Sequence, residues 1–274
     1  SGTGVLIKNT DDWQNNYEAG GQAGNADFVA REAGTDGNNL QVSTCPSATA
    51  YEQEGATTVN DSSTAVGDTV VVAASGAALN VGDIISFSTT AATNDYDDGE
   101  QYQVTNISTN NVTIVQHPRG TGGLKRALTD GANIRRRWKY YDSVDGAPGT
   151  SAYVSARSGS NDEIHVVVVD EDGGISGVPG TVLETFSKLS KASDAKDPQG
   201  NDNYYPNVIY TKSQHIYWTK HNSSGSNWGN AASGTTFTAV NTPTLSSLSG
   251  GSNGSTVTTG QIKTAYDKFA DSET

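Results

Sequence analysis

Methionine is absent from this sequence of 274 residues, and cysteine occurs once, as Cys45. A single cysteine excludes an internal disulfide and a cysteine-rich metal site. Cys45 follows the short stretch Leu40–Thr44, so we expect its thiol in a half-buried turn, with no histidine nearby in sequence to activate it. Because the chain begins with Ser1 and Gly2 and has no initiator methionine, we expect it to be a processed product or an excised fragment.

Long hydrophobic runs and an excess of positive charge are also missing. No run approaches the roughly 18 apolar residues of a membrane-spanning helix, and no signal-peptide pattern is visible at the start. Lysine and arginine number 17 against 30 acidic residues, which gives a net charge of −13 and a pI of about 4.5. Such a surface repels nucleic acid and anionic membranes, so we expect neither as a partner.

The common catalytic and metal-binding motifs do not occur either. The sequence has no HExxH motif, no Gly-x-Ser-x-Gly elbow, no Walker loop and no dinucleotide fingerprint, and its four histidines form no i, i+4 pair. The acidic stretch Asp95–Glu100 lacks the final glutamate of a calcium loop and is typical of a solvated hairpin turn. We therefore expect no catalytic residue, no metal and no cofactor.

Glycine and small polar residues dominate what is present. The chain holds 31 glycines and only 34% hydrophobic residues, a composition typical of many short strands joined by turns. Evenly spaced short strands predict a small antiparallel barrel or sandwich, and they are expected at Thr69–Ala74, Asp83–Thr89, Gln101–Ile107 and Val112–Gln116. We interpret this unit as a small antiparallel β-barrel at 58–129, inserted into a host domain formed by 1–57 and 130–274.

The host is predicted to be a strand-dominated α+β domain, β-sandwich-like and flanked by short helices. Its strands are expected at Val5–Lys8, Phe28–Arg31, Asn39–Thr44, Ile134–Tyr141, Ser151–Arg157, Glu163–Asp170 and Gln214–Lys220. Gly20–Asn25 is predicted to be a loop and Tyr51–Ser63 a polar linker.

Three helices are predicted in the host. A short one begins at Thr10 and carries Trp13 and Tyr17 on one side. Capping boxes predict two more helices, one starting at Thr181 with Glu184 and one at Thr258 with Gln261. The apolar stripes expected to be buried are Val182, Leu183, Phe186 and Leu189 in the first of these, and Ile262, Ala265, Tyr266 and Phe269 in the second.

Three segments, in this order along the chain, share patterns with one family. Ala30–Val42 places a Gly-Asn pair, Gly37 and Asn38, directly before a strand. Gly159–Gly174 contains a β-branched run, typical of a strand buried on both faces, with acids on either side and a Gly pair at its end. Ser249–Glu273 is a Gly-rich turn that leads into a helix ending in Phe-Ala-Asp.

In this order the segments resemble the contractile-tail sheath proteins of myophages. The last three helical residues, Phe269, Ala270 and Asp271, are similar to the approach to the conserved core of that family. Upstream, Thr10–Tyr17 is similar to an aromatic, Asn-rich helix of phage sheaths. Residues 58–129 match no pattern of the family, which varies in that region.

The resemblance implies a structural protein of the virion, made in the host cytoplasm. Full-length subunits would self-assemble as stacked hexameric rings around the tail tube protein, and contraction of this sleeve would drive the tube through the host envelope. It implies no catalytic residue and no cofactor. We expect this chain to be the outer, solvent-facing part of a subunit and, at a net charge of −13, a monomer by itself.

One unusual cluster of positive charge stands out in the acidic chain. Seven of the 17 basic residues lie within the 21 positions 119–139. On a strand, Arg135, Arg137 and Lys139 project to one face, and Ile134, Arg136, Trp138 and Tyr140 to the other. We predict that the first three contact an acidic neighbouring subunit. The alternatives are a locally salt-bridged surface and, against the overall charge, nucleic-acid binding.

The alternative function is a carbohydrate-binding β module on a virion or cell surface. Tyr, Trp, Asn and Asp are frequent, and Trp218 and Trp228, near Asn222 and Asn227, would be the first candidates for a sugar platform. A third option is a polysaccharide-degrading enzyme. It would need two carboxylates facing a cleft, and no pair stands out among the many acids.

Overall fold

The computed structural model describes residues 5–18 and 26–270, with side chains up to residue 267. Within them the helices are α1 Thr10–Asn16, α2 Ala48–Tyr51, α3 Ala152–Ser155, α4 Tyr205–Lys212 and α5 Thr259–Ala270. The strands are β1 Phe28–Ala30, β2 Leu40–Cys45, β3 Glu52–Thr58, β4 Val70–Val72, β5 Ile84–Ala91, β6 Gln101–Ser108, β7 Asn111–His117, β8 Ala132–Arg137, β9 Glu163–Asp170, β10 Thr181–Ser190, β11 Ile216–Trp218 and β12 Thr244–Ser247. The fold is strand-dominated α+β, as predicted, and is consistent with a sandwich-like domain.

A four-stranded antiparallel sheet forms the centre of the host, in the order β10-β9-β2-β12. β9 lies inside this sheet and is buried along nearly its whole length, as its β-branched run predicts. Because successive side chains alternate between faces, Val166 and Val168 lie on one side with Val42, while Val167 and Val169 lie on the other. The sheet therefore has a hydrophobic core on each face.

The larger of the two cores lies between this sheet, helices α1 and α4, and the two-stranded sheet β1-β11. Trp13 of α1 is fully buried and stacks on Tyr210 of α4, with ring centroids 4.2 Å apart. Its indole N–H donates to the carbonyl oxygen of Trp218 at 2.7 Å. The helix predicted at Thr10 is thus confirmed, although its N-cap is Asn9, whose side chain accepts from the Asp12 N–H.

The smaller core covers the opposite face of the sheet. Trp138 is buried there and donates its indole N–H to the Ser43 hydroxyl of β2 at 2.8 Å. Cys45 is fully buried at the end of β2, so the half-buried turn predicted for it is wrong. Burial raises the pKa of the Cys45 thiol to about 12, which makes it unreactive in the folded chain.

The other large unit is a six-stranded antiparallel sheet in the order β3-β8-β5-β6-β7-β4. All four strands predicted within 58–129 are confirmed, and β3 and β8, which flank that range, belong to the same sheet. In the described residues the sheet does not close into the predicted barrel. Its two edge strands meet only at an isolated bridge between Val59 and Ala73, just beyond the ends of β3 and β4.

The segment Thr181–Ser190 is strand β10, so the predicted helix is wrong. It pairs antiparallel with β9 along its length, with two register shifts. Glu184, predicted to close a capping box, instead accepts hydrogen bonds from the Ser213 hydroxyl at 2.7 Å and the Gln214 N–H at 2.6 Å. Backbone pairing with a buried neighbouring strand outweighs the local capping signal.

Three other local predictions need correction, and two elements were not predicted. Val5–Lys8 forms no strand in the described residues, and the predicted linker 51–63 contains β3. Ser151 does not open a strand, because its hydroxyl accepts from the Val154 N–H and caps the short helix α3. Helix α4 and strand β12 were not predicted. The predicted loop 20–25 lies outside the described residues.

Candidate assembly surface

Strand β8 carries the predicted contact residues and lies between β3 and β5. Arg135 forms an ion pair with Asp98, in the acidic turn between β5 and β6. Arg137 Nε lies 2.5 Å from Glu52 Oε2 of β3, and its Nη1 lies 3.4 Å from Asp98 Oδ1. Two of the three arginine and lysine side chains predicted to meet an acidic neighbour therefore already have carboxylate partners within the chain.

Aromatic rings complete this charged surface. The guanidinium carbon of Arg135 lies 4.6 Å from the Tyr96 ring centroid, and that of Arg137 lies 5.3 Å from the Tyr141 ring centroid. The hydrogen bond from Arg135 lowers the pKa of Asp98, whose side chain is still 64% exposed. This is the salt-bridged surface that the sequence left open as an alternative. A neighbouring subunit would compete there with Asp98 and Glu52.

Arg136 projects to the opposite face of β8, as its alternation predicts, and is completely buried. Its guanidinium donates to the carbonyl oxygens of Thr49 at 2.8 Å, Ala50 at 3.2 Å and Asn241 at 3.2 Å. Its Nε lies 4.0 Å from Asp83 Oδ2. Burial raises the pKa of Asp83 to about 6, and the nearby Arg136 charge opposes that rise. Arg136 thus ties together segments that belong to both large sheets.

Lys139 differs from the two arginines, because in the described residues it forms no ion pair. Its ammonium lies 5.1 Å from the Tyr140 ring centroid. Burial lowers the pKa of Lys139, while the charge of Glu171 partly opposes this effect. The structure therefore divides the predicted contact residues. Arg135 is buried and Arg137 is partly buried within the six-stranded sheet, whereas Lys139 lies beyond the end of β8.

Lys139 borders a groove of about 530 Å³ between the two large sheets. Trp138 and Ser43 line it from the host side, with the first residues of β12. The segments 76–83 and 107–109 line it from the six-stranded sheet. Sequence reasoning missed this groove, because its walls come from five segments that are distant along the chain.

Helix α5 presents a second unusual surface. Its predicted capping box is confirmed, since the Thr258 N–H donates to the Gln261 side chain at 2.8 Å and the Gln261 N–H to the Thr258 hydroxyl at 3.4 Å. Its predicted burial is wrong. All residues 252–267 are exposed, with Ile262 at 46% and Tyr266 at 73%. The side chain of Phe269 lies outside those described.

The buried His165 and the half-buried His221 have structural partners. His165 donates from Nε2 to the Gly146 carbonyl and accepts the Lys188 N–H at Nδ1, each at 2.9 Å. His221 accepts from the Tyr205 hydroxyl at Nδ1 over 2.6 Å. Burial lowers the pKa of each to about 4, so both are neutral at physiological pH.

Lys191 is a buried cation held by main-chain oxygens. Its ammonium donates to the carbonyls of Pro46 at 2.6 Å and Asn161 at 2.8 Å. It also lies 5.0 Å from the Trp228 ring centroid. Burial lowers the pKa of Lys191 to about 8, and the charge of Asp162 opposes this shift. The side chain links three loops of the host and has no open approach from solvent.

The aromatic residues proposed as a sugar platform do not form one. Trp218 is fully buried and donates its indole N–H to the Tyr205 hydroxyl at 3.0 Å. Trp228 is buried as well and donates to the Thr238 carbonyl at 3.1 Å. A sugar platform needs an exposed ring face, so these two residues are corrected to core positions.

The remaining features are metal ligation, membrane spans and likeness to known proteins. Among the residues that the structure describes, no three His, Cys, Asp or Glu side chains are grouped to hold a metal ion. No helix there is both long and apolar enough to cross a bilayer. Comparison of the sequence with protein-family models finds no match, and comparison with curated proteins finds none either.

Proposed function

We propose that this chain is part of a contractile tail sheath subunit, a structural protein that assembles with copies of itself around a tail tube. The order of the three sheath-like segments supports the proposal. Gly37 and Asn38 lead into β2, the β-branched run is β9, and the last segment leads into α5. β2 and β9 are neighbours in the central sheet of the host, so two of the three segments meet in its core.

The observation that carries an assembly role is the exposed apolar side of α5. Ile262 and Tyr266 lie one turn apart on this helix, and both face solvent. A helix with one apolar side ordinarily packs that side against another element. A neighbouring subunit is the proposed cover for α5, and this is the same helix that resembles the approach to the sheath core.

The buried titratable side chains are consistent with a structural role. His165 and His221 are neutral and hydrogen-bonded within the chain, and Lys191 is held by carbonyl oxygens. Each therefore has a partner within the chain. The proposal therefore assigns no chemistry to them.

Electron microscopy of the product of the complete reading frame tests the proposal. We expect negatively stained sleeves from the wild type, and none from a variant carrying Ile262→Ser with Tyr266→Ser. Thr264→Ala, on the opposite side of α5, is the matched control and is expected to assemble. A wild type that stays monomeric in sedimentation under all assembly conditions would contradict the sheath proposal. Normal sleeves from the double variant would remove only α5 from the interface.

The carbohydrate-binding alternative has a separate test. With Trp218 and Trp228 in the core, no observation now favours it over assembly. Specific, saturable binding on a glycan array, without sleeve formation by the same preparation, would reverse that order.

A further inference from the structure

Strand β12 is the outer strand of the central sheet, and half of its main-chain groups point away from that sheet. It pairs antiparallel with β2, with Leu245 opposite Ser43 and Ser247 opposite Gln41. The Leu248 N–H donates to the Leu40 carbonyl at 2.8 Å, which fixes which pairs are hydrogen-bonded. Because hydrogen-bonded pairs alternate along an antiparallel ladder, the N–H and C=O groups of Leu245 and Ser247 face the open edge.

The groove at the junction of the two large sheets lies beside this edge. The Leu245 side chain projects into it on the same face as Ser43 and Trp138. Gly82 closes the opposite wall, where a Cβ atom would lie 3.1 Å from Lys139 Cδ and 3.8 Å from Leu245 Cδ2. Gly82 therefore lies close to both the apolar Leu245 and the cationic Lys139.

Among the described residues that line the groove, the charged ones are Lys139 and Asp83. The Asp83 carboxylate is buried and lies 4.0 Å from Arg136 Nε, so it already has a cationic neighbour within the chain. Leu245 is 40% exposed and Val81 is 50% exposed, so two large aliphatic side chains are accessible in this groove. In the described part of the chain no carboxylate lies within ion-pair distance of Lys139, in contrast to Arg135 and Arg137. An occupant of this groove needs both an apolar group and a negative charge.

We propose that the free edge of β12 and this groove together form a docking site for an extended acidic and apolar peptide segment of a partner protein. The segment adds to β12 as a further strand, with main-chain hydrogen bonds to Leu245 and Ser247. Side chains two positions apart lie on one face of a strand, so an apolar residue packs on Leu245 and Val81 while a carboxylate meets Lys139. The inference does not depend on the sheath assignment.

The main-chain groups favour an extended peptide over a small molecule. A free strand edge offers alternating donors and acceptors at the repeat of a polypeptide backbone, which another strand satisfies along its length. The pocket beside the edge then selects alternate side chains, as in other cases of strand addition. The charge of Lys139 selects an acidic segment over a basic one.

Amide NMR spectra of the ¹⁵N-labelled chain test the site with two blocked peptides. The first has the sequence Thr-Val-Thr-Glu-Thr-Val-Thr, which places Val, Glu and Val on one face of a strand. The second carries Lys in place of Glu. We expect the first peptide to shift the amide signals of Leu245 and Ser247 and of the groove residues, with saturation at up to millimolar peptide.

Two pairs of variants make the test specific. Ser247→Pro removes an outward-facing N–H and leaves the ladder to β2 intact, because a proline is tolerated where the N–H faces away from the sheet. Ser247→Ala is its matched control, since both variants lose the hydroxyl hydrogen bond to Glu171. Lys139→Glu reverses the charge at the rim. Unchanged thermal melting of each variant confirms that its fold is retained.

A docking site of this kind predicts a different change in peptide binding for each variant. Ser247→Pro abolishes the shifts, and Ser247→Ala keeps them. Lys139→Glu lowers the affinity for the Glu peptide by about fivefold and raises the affinity for the Lys peptide by a similar factor. A change of this size corresponds to the free energy of one exposed ion pair. The proposal is overturned if the Glu peptide does not shift the amide signals of Leu245 and Ser247. It is also overturned if Ser247→Pro and Ser247→Ala bind that peptide with equal affinity, or if Lys139→Glu leaves both peptide affinities unchanged.

Discussion

Replacing Arg136 with methionine should destabilise the chain more than any other change in the basic cluster. The guanidinium is fully buried and donates to carbonyl oxygens of Thr49, Ala50 and Asn241. It also lies beside the buried Asp83 carboxylate. Methionine keeps much of the apolar stem but none of the donors, so three carbonyls lose a hydrogen-bond donor and the Asp83 carboxylate loses its neighbouring positive charge.

The expected loss is about 4 kcal/mol of unfolding free energy. Removing one partner of a buried ion pair costs roughly 3–5 kcal/mol, because the other charge stays buried without compensation. Each buried carbonyl left without a donor adds ~1–3 kcal/mol unless water or a shift of the backbone satisfies it. Such a loss is a large part of the ~5–15 kcal/mol by which domains are usually stable.

The size of this effect should depend on pH through Asp83. Its folded-state pKa of about 6 lies above its ordinary value of 3.8, so the folded chain holds the proton more tightly than the unfolded chain. The contribution of Asp83 to stability is therefore present in acid and is lost as pH rises through about 6. Without Arg136 the pKa rises further, because the charge that lowers it is gone. The variant should thus be closest to wild type near pH 4 and furthest from it above pH 7.

Chemical denaturation followed by tryptophan fluorescence at several pH values measures these differences. Arg137→Met, on the next residue of the same strand, is the matched control and should cost ~1 kcal/mol or less, since its ion pairs are partly exposed. Adding Asp83→Asn to Arg136→Met should recover part of the loss by removing the uncompensated charge. Equal midpoints for Arg136→Met and Arg137→Met would refute the reasoning.

Three further outcomes are expected. Cys45 should react with a thiol reagent only after unfolding, because burial raises its pKa to about 12; rapid labelling of the native chain would contradict this. The stability of the wild type relative to Lys191→Met should rise with pH between about 8 and 10.5, because the unfolded chain binds the Lys191 proton more tightly than the folded chain does; denaturation midpoints with the same pH dependence in both proteins would contradict this. Replacing Ile262 and Tyr266 with serine should leave the thermal melting of this chain unchanged, because both side chains are already exposed, and a clear loss would mean that α5 is packed in solution.

The strands that the sequence predicted correctly share a local cause. β9 is a run of β-branched residues between acidic and glycine-rich turns, and such residues fit a pleated, buried surface in almost any context. β5, β6 and β7 are bounded by Gly, Asn and Asp turns that stop each strand near its predicted end. Where the hydrophobic pattern and the turn residues indicate the same strand, contacts with distant elements are not needed to predict it.

The wrong predictions concern segments whose secondary structure or burial depends on an element that is distant in sequence. The Thr181–Glu184 pattern suits a helix cap, but the segment lies beside the buried edge of β9 and satisfies its backbone there. β3 is polar and resembles a linker, yet it pairs with β8, which is far away in sequence. The α5 stripe is locally convincing, and its exposure cannot be read from the helix itself.

At the candidate site, too, the features set by local sequence were predicted and those set by distant contacts were not. Alternation along β8 correctly placed Arg136 opposite Arg135 and Arg137, because that depends only on strand geometry. It gave no sign that Asp98 and Glu52 pair with Arg135 and Arg137, since those acids lie 37 and 85 residues away. The groove beside Lys139 was invisible for the same reason.

The course of the chain after β8 decides how the two large sheets behave as a unit. β8 pairs within the six-stranded sheet, and only one residue after its end Trp138 is buried against the host sheet, with its N–H donating to the Tyr51 carbonyl at 2.8 Å. Rotating one sheet away from the other would expose Trp138 and strip the donors of Arg136 from α2 and from the segment before β12. That cost is of the order of the ~4 kcal/mol worked out above. We therefore expect the two large sheets to move together as one unit.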